Sequence, residues 1–137
     1  MTIGRTLHTY TNTIKILCQA FNVEFATTHF KCEKLLIEEA YSLKRQGKNI
    51  VIIIDEAHLL EIDTLRRLRL LFEDFPKNHN VILIGQPELL DRISLSVNQD
   101  IKSRVTYSVI MKRLNPDDMK AFILSQLDLV KLGHNTF

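Results

Sequence analysis

Ile50-Val51-Ile52-Ile53-Ile54-Asp55-Glu56 is the stretch that decides how this chain folds. Five consecutive β-branched aliphatics without polar alternation read as a strand buried on both faces, the pattern of a central parallel strand. Two adjacent acids close it, and the carboxyl end of such a strand is where an open α/β sheet collects its ligands. Upstream, residues 31 to 46 place Leu35, Leu36, Ala40 and Leu43 on one helical face, and residues 9 to 21 do the same with Ile14, Leu17, Cys18 and Phe21. Gly47 stops the later of these helices after Lys44 and Arg45, whose charge suits a helix C-terminus. Downstream, Asp63 can cap a helix that carries Leu65, Leu68, Leu71, Phe72 and Phe75 inward and ends at Pro76. Val81-Ile82-Leu83-Ile84 repeats the buried-strand pattern, and Gly85-Gln86-Pro87 turns into another helix with proline in its first turn. A short helix ending near Arg104 leads to a third expected strand, Val105 to Met111. Asn115-Pro116-Asp117-Asp118 then opens a last helix, stopped by Gly133. Strands alternating with helices predict a parallel sheet covered on both faces.

The 137 residues are the length of one domain, and 45% hydrophobic with 25% charged residues is ordinary soluble-globular composition. The longest aliphatic run is far short of the roughly 20 residues that span a bilayer, so no membrane segment is expected. The N-terminal residues lack the apolar segment of a secretory signal, which leads to the expectation of a cytoplasmic protein. Eighteen Lys and Arg against sixteen Asp and Glu leave +2, too little to argue a nucleic-acid partner from global charge. Cys18 and Cys32, with His29 between them, lack the paired spacing of a zinc site and read as buried thiols. The four glycines, Gly4, Gly47, Gly85 and Gly133, are too scattered to form a phosphate-cradling glycine-rich loop.

Chemistry therefore concentrates at the strand ends. Four or more aliphatics followed by two acids is the Walker B pattern: Asp55 at the strand tip can hold Mg²⁺, and Glu56, pointing elsewhere, can polarise a water for in-line attack on a γ-phosphate. The plainer alternative is that the two acids only cap the next helix. His58 follows them, but without an HExxH spacing it is not a zinc ligand.

The blocks IVIIIDEAHLL (50–60), LRLLFEDF (68–75), VILIGQPELLDRI (81–93), IKSRV (101–105) and LNPDDMKAFILSQLDLVKLG (114–133) together resemble the AAA+ ATPases of the ExeA type. That family comprises general-secretion-pathway A proteins and ATP-binding helper proteins encoded beside transposases; of the two, the transposition helper looks closer. The resemblance implies an α/β fold, a partial P-loop NTPase three-layer sandwich with a parallel sheet in the strand order 5-1-4-3-2. Residues 1–113 would be a partial core and 114–137 the start of a helical lid. It implies Asp55 as the Mg²⁺ acid and Glu56 as the catalytic base. Gln86 is then the sensor 1 residue that positions the attacking water, and Arg104 the arginine finger directed at a nucleotide on the neighbouring subunit. Each has a plainer alternative: Gln86 as an amide satisfying the turn before Pro87, Arg104 as a surface ion pair. Arg66, Arg67 and Arg69 would face DNA phosphates, or else form a solvated helix face in which Arg69 pairs with Glu73 at i, i+4. The implied partners are AAA+ subunits of the same kind in a ring or filament, DNA and a transposase.

The family's G-x-x-x-x-G-K-[ST] loop has no match in the sequence, and the loop with its flanking strands would lie upstream of residue 9. Without that amide nest and lysine, ATP and Mg²⁺ belong to the complete domain, and this chain alone is expected to bind neither tightly and to be inactive. The chain thus reads as the middle of an AAA+ domain. The competing readings are a non-catalytic interaction or DNA-binding module of the same origin and, poorly supported, a DEAH-box RNA helicase.

Overall fold

The computed structural model describes residues 9–77 and 79–130, together with the backbone of the two-residue strand β1 (Thr2–Ile3). Helix α1 (Tyr10–Ala20) buries Tyr10, Thr13, Ile14, Leu17 and Cys18, the three-and-four spacing of a single helical face. The buried Thr13 hydroxyl donates to the Thr9 carbonyl at 3.0 Å, so its burial leaves no polar group unsatisfied. Helix α2 (His29–Arg45) begins two residues before the expected position because the Thr28 hydroxyl accepts from the Lys31 amide and fixes the N-cap there. Its buried stripe is Cys32, Leu36 and Ala40, whereas Leu35 and Leu43 are only half-buried. The helix stops where expected. Gly47, at φ +74, donates to Lys44 and Lys48 donates back to Leu43, the paired bonds of a glycine C-terminal cap.

The sheet is parallel throughout, in the order β1-β2-β3 with β2 (Ile50–Ile54) at its centre and β3 (His79–Leu83) beside it. Residues 1–8 carried no expected strand, yet β1 aligns Thr2 with Ile53 and Ile3 with Ile54. It flanks β2 on the side away from β3, which is the place of the second strand in the order the resemblance implied. The register pairs Ile52 with Val81 and Ile54 with Leu83, and these four point into the core. The other face does not match the expected cover on both sides. Val51 is 48% exposed and Ile82 44%, so among the described residues the aliphatics of that face have no helix sealing them. Unbroken aliphatic runs signalled two-sided burial, but a residue is buried only where a second layer is present to receive it.

Helix α3 (Ile62–Glu73) presents Leu65, Leu68, Leu71 and Phe72 inward as expected, with Phe75 buried just beyond. Its N-cap is Glu61, not Asp63; Asp63 lies inside the first turn and bonds Arg66 instead. Phe75 meets Phe21 and Phe72 edge-on at ring separations of 5.9 and 5.3 Å, closing the core between the ends of α1 and α3. Helix α4 (Pro87–Ser94), a 3₁₀ turn (Ser96–Asn98) and the short α5 (Gln99–Lys102) follow, burying Leu89, Ile93 and Ile101.

The chain divides into two compact units, Met1–Thr106 and Tyr107–Phe137. Val105 to Met111, expected as the third strand, is not a strand: Val105, Tyr107, Val109, Ile110 and Met111 are 43 to 84% exposed. A β-branched run becomes a strand only by hydrogen bonding to a neighbour, and the family order assigns this segment to a first strand that the described residues do not contain. Helix α6 (Pro116–Leu129) forms as the sequence indicated, with Asn115 Oδ1 accepting from the Asp118 amide at 2.8 Å and Pro116 in the first turn. The expected stop at Gly133 lies outside the described residues.

Candidate active site

At the carboxyl ends of β2 and β3 the ladder continues past the strands into the turns. Ile84 N donates to Ile54 O at 2.9 Å and Ala57 N to Ile84 O at 2.8 Å, stitching the two tips together. This sets Asp55-Glu56 on one strand end beside Gly85-Gln86 on the next, so three sequence-selected residues, Asp55, Glu56 and Gln86, converge. One Asp55 oxygen accepts from the Glu56 amide at 2.8 Å and fixes the carboxylate at the tip. The acids do not cap a helix: α3 begins further on, and the intervening 3₁₀ turn (Ala57–Leu59) has no side-chain cap.

Glu56 has φ +54 and ψ +33, a left-handed conformation that costs a non-glycine residue on the order of 1 kcal/mol. Such a conformation is retained only where the surroundings enforce it. Ala57 N, bonded to Ile84 O, pins the backbone next to it, and Arg92 holds the turn that follows, donating to His58 O at 2.7 Å and to Leu60 O at 2.8 Å. Asn98, buried and accepting from Arg66 at 2.7 Å, in turn donates to Arg92 O at 2.7 Å. The outcome is a carboxylate that stands half-exposed on a fixed backbone.

The His58 ring, with its side chain 7% exposed, sits between the two tips. Its Nδ1 lies 3.5 Å from Glu56 Oε2 and accepts from the Gln86 amide at 3.4 Å. A Cβ on Gly85 would come to 3.0 Å from the His58 backbone nitrogen and 3.3 Å from Nδ1, so a side chain there would force the ring and its turn to give by a few tenths of an ångström. The Gln86 side chain makes no capping hydrogen bond, which leaves its amide directed at no turn group.

Arg104 lies elsewhere. Its guanidinium, 62% exposed, bonds Glu73 at 2.7 Å, and the same oxygen accepts from Arg69 at 2.8 Å. The three arginines of α3 also have partners. Arg66 spans Asp63, Val97 O, Asn98 and Asp100, tying α3 to the 96–100 segment. Arg67 stacks 3.6 Å over the Tyr10 ring and pairs with Glu33. Sequence reasoning missed Arg92 and Asn98. Nothing in local spacing marks Arg92, because its acceptor carbonyls lie 34 and 32 residues away.

Among the described residues the second Asp55 carboxylate oxygen has no hydrogen bond, which suits Mg²⁺, an ion that takes one or two protein carboxylates and completes its shell with phosphate and water. Among the described residues, no group of three or more His, Cys, Asp or Glu is placed to hold a metal by itself. No helix among them is long and apolar enough to cross a membrane.

Comparison with known proteins agrees with this arrangement. General secretion pathway protein A of Aeromonas hydrophila is 33% identical over 86 residues, 61% of this chain but 16% of that protein, so the chain spans a small part of that relative. The family model described as AAA domain matches residues 3–93, from β1 through the Asp55-Glu56 and Gln86 turns to α4. With the parallel sheet and the acid pair at its central strand tip, that match settles the assignment: the chain belongs to the AAA domain family.

Proposed function

We propose that this chain supplies the hydrolytic half of an ExeA-type ATPase: the metal acid, the base and the water-positioning residue, but not the phosphate cradle. The observation that carries this reading is the convergence of Asp55, Glu56 and Gln86 on two adjacent strand tips. Asp55 would hold Mg²⁺ at its second oxygen, and the ion would offset phosphate charge. Glu56 accepts the proton of the attacking water, and the Gln86 side-chain amide orients that water toward the terminal phosphoryl group of ATP. Arg104 would act on a nucleotide held by a neighbouring subunit, which requires it to leave Glu73. Residues 114–137 begin the lid.

Titration of the chain with ATP and Mg²⁺ should give affinity no better than about millimolar, roughly −4 kcal/mol, with no phosphate release. Fusion to a segment carrying G-x-x-x-x-G-K-[ST] should restore turnover, which Glu56→Gln should abolish. Arg104→Ala should also abolish it, and mixing the two variants should recover part. Micromolar affinity in the unfused chain, lost in Asp55→Ala, would show that residues other than that loop cradle the phosphates beside Asp55.

For the cellular role, the sequence blocks support a cytoplasmic transposition helper that works on DNA beside a transposase. The 33% identity to a secretion-pathway protein supports the alternative, a secretion ATPase. Arg66, Arg67 and Arg69 divide the two. Phosphate contacts there must displace Asp63, Glu33 and Glu73. Fluorescence anisotropy with duplex DNA should show salt-dependent binding that Arg67→Ala weakens if the helper reading holds. No binding at low salt would leave the secretion reading.

A further inference from the structure

His58 belongs to no role assigned above, yet its side chain contacts both Glu56 and the Gln86 turn. The ring side chain is buried, a Cβ at Gly85 would meet its Nδ1 at 3.3 Å, and Arg92 bonds the carbonyls of His58 and Leu60 in the turn that carries it. Nδ1 therefore has two neighbours of opposite demand: the Gln86 N–H, which needs an acceptor, and the Glu56 carboxylate, which needs a donor. An imidazole nitrogen is one or the other. With its proton on Nε2, Nδ1 presents a lone pair, accepts from Gln86 and offers Glu56 nothing; with the proton on Nδ1, it donates to Glu56 and leaves the Gln86 amide without a partner.

We propose that His58 is a positioning residue that makes the Glu56 carboxylate and the Gln86 amide compete for one imidazole nitrogen, so that securing the sensor turn releases the base. The proposal rests on the reading of Glu56 as the water-polarising carboxylate. In the structure the two contacts are nearly equal, the Gln86 N–H to Nδ1 at 3.4 Å and Nδ1 to the half-exposed Glu56 Oε2 at 3.5 Å; in one state the Gln86 backbone amide takes Nδ1 and Glu56 is free to reach toward a substrate water. In the alternative state, His58 draws Glu56 back against the strand tips while the backbone at Gln86 loosens. The two halves of the site are thereby either both poised or both relaxed.

The test uses the 137-residue chain without nucleotide. Long-range ¹H–¹⁵N spectra of histidine-labelled protein should show His58 Nδ1 as an unprotonated acceptor and Nε2 as protonated. Amide exchange at Gln86 should accelerate about fivefold in His58→Ala, the loss of one ordinary hydrogen bond. His58→Asn, whose side-chain oxygen occupies the Nδ1 position, should restore protection. His58→Gln, whose amide reaches toward the Nε2 position, should not. The decisive variant is Glu56→Gln, on the exposed side of the site. Its new amide can donate to Nδ1, so Gln86 exchange should rise there as well, with the urea midpoint unchanged. Unchanged Gln86 exchange in Glu56→Gln, or a protonated Nδ1 in the unliganded chain, would overturn the competition, and neither result depends on His58→Ala folding. Failure of the underlying reading looks different: turnover of the cradle-restored fusion would then survive Glu56→Gln while the exchange results stand.

Discussion

Ile14, Leu36 and Ile54 are sealed from solvent, while Phe122, Ile123 and Leu129, no less apolar, stand 57%, 47% and 73% exposed. The first three belong to the unit ending at Thr106, the second three to the unit beginning at Tyr107. In the former, α1, α2 and α3 surround the inner aliphatics of β2, and each fully buried Leu or Ile contributes about 1.5–3 kcal/mol. In the latter, α6 has strong local signals, an Asn115 cap, a first-turn proline and two first-turn acids, but no buried residue. Local chemistry suffices to define a helix, whereas apolar content becomes stability only when another surface is there to exclude water.

Core truncation should separate the units most strongly. Ile54→Ala should lower stability by about 2–5 kcal/mol, read as a fall in the urea midpoint by circular dichroism. Phe122→Ala should change it by no more than about 0.5 kcal/mol. Equal losses would break the comparison. Gly85→Ala comes next. Its Cβ would press on His58 and Leu89, and the expected cost is about 1–3 kcal/mol, confined to the first unit. In the second unit, Asn115→Ala should cost about 1 kcal/mol of local helix stability. Faster amide exchange at Asp118 with an unmoved urea midpoint would show that α6 folds on its own account. The effect that is smallest at neutral pH appears only in alkali. Burial, reinforced by the neighbouring Cys32 thiol, pushes Cys18 from an ordinary value near 9 up to about 11. Burial and the hydrogen bond to Glu33 raise the Tyr10 hydroxyl as well. The folded state thus favours both protonated forms. The Cys18 contribution is whole below pH 9 and is lost as pH rises through about 11, and that of Tyr10 is lost only at still higher pH. Cys18→Ala should flatten that decline in the first unit, measured by urea titration at successive pH values, and α6 should show no matching change.

Much of this was legible along the chain. Three-and-four spacing found α1, α2 and α3, the Gly47 and Asn115 signals set helix ends, and the aliphatic run found β2 with its acids at the tip. Periodicity over-read two features. Among the described residues, Val105–Met111 has strand composition but no strand to bond, and the face of Val51 and Ile82 has strand-core composition without a covering layer. Two-residue β1 was invisible for the opposite reason: it exists only through its register with Ile53 and Ile54.

The sequence by itself determined the periods, the caps and the presence of Asp55, Glu56 and Gln86 next to strand-forming runs, because each depends on residues within a turn or two of one another. Tertiary structure alone decided that Gln86 would stand beside Glu56 and that His58 would lie between them. It likewise decided that Arg92 would hold the turn after Glu56 from more than 30 residues away in sequence, and that Arg104 would share Glu73 with Arg69. Those placements depend on which strand ends adjoin and which layer is present to be packed against. Both are fixed by parallel pairing across helical crossovers, and no local spacing encodes them.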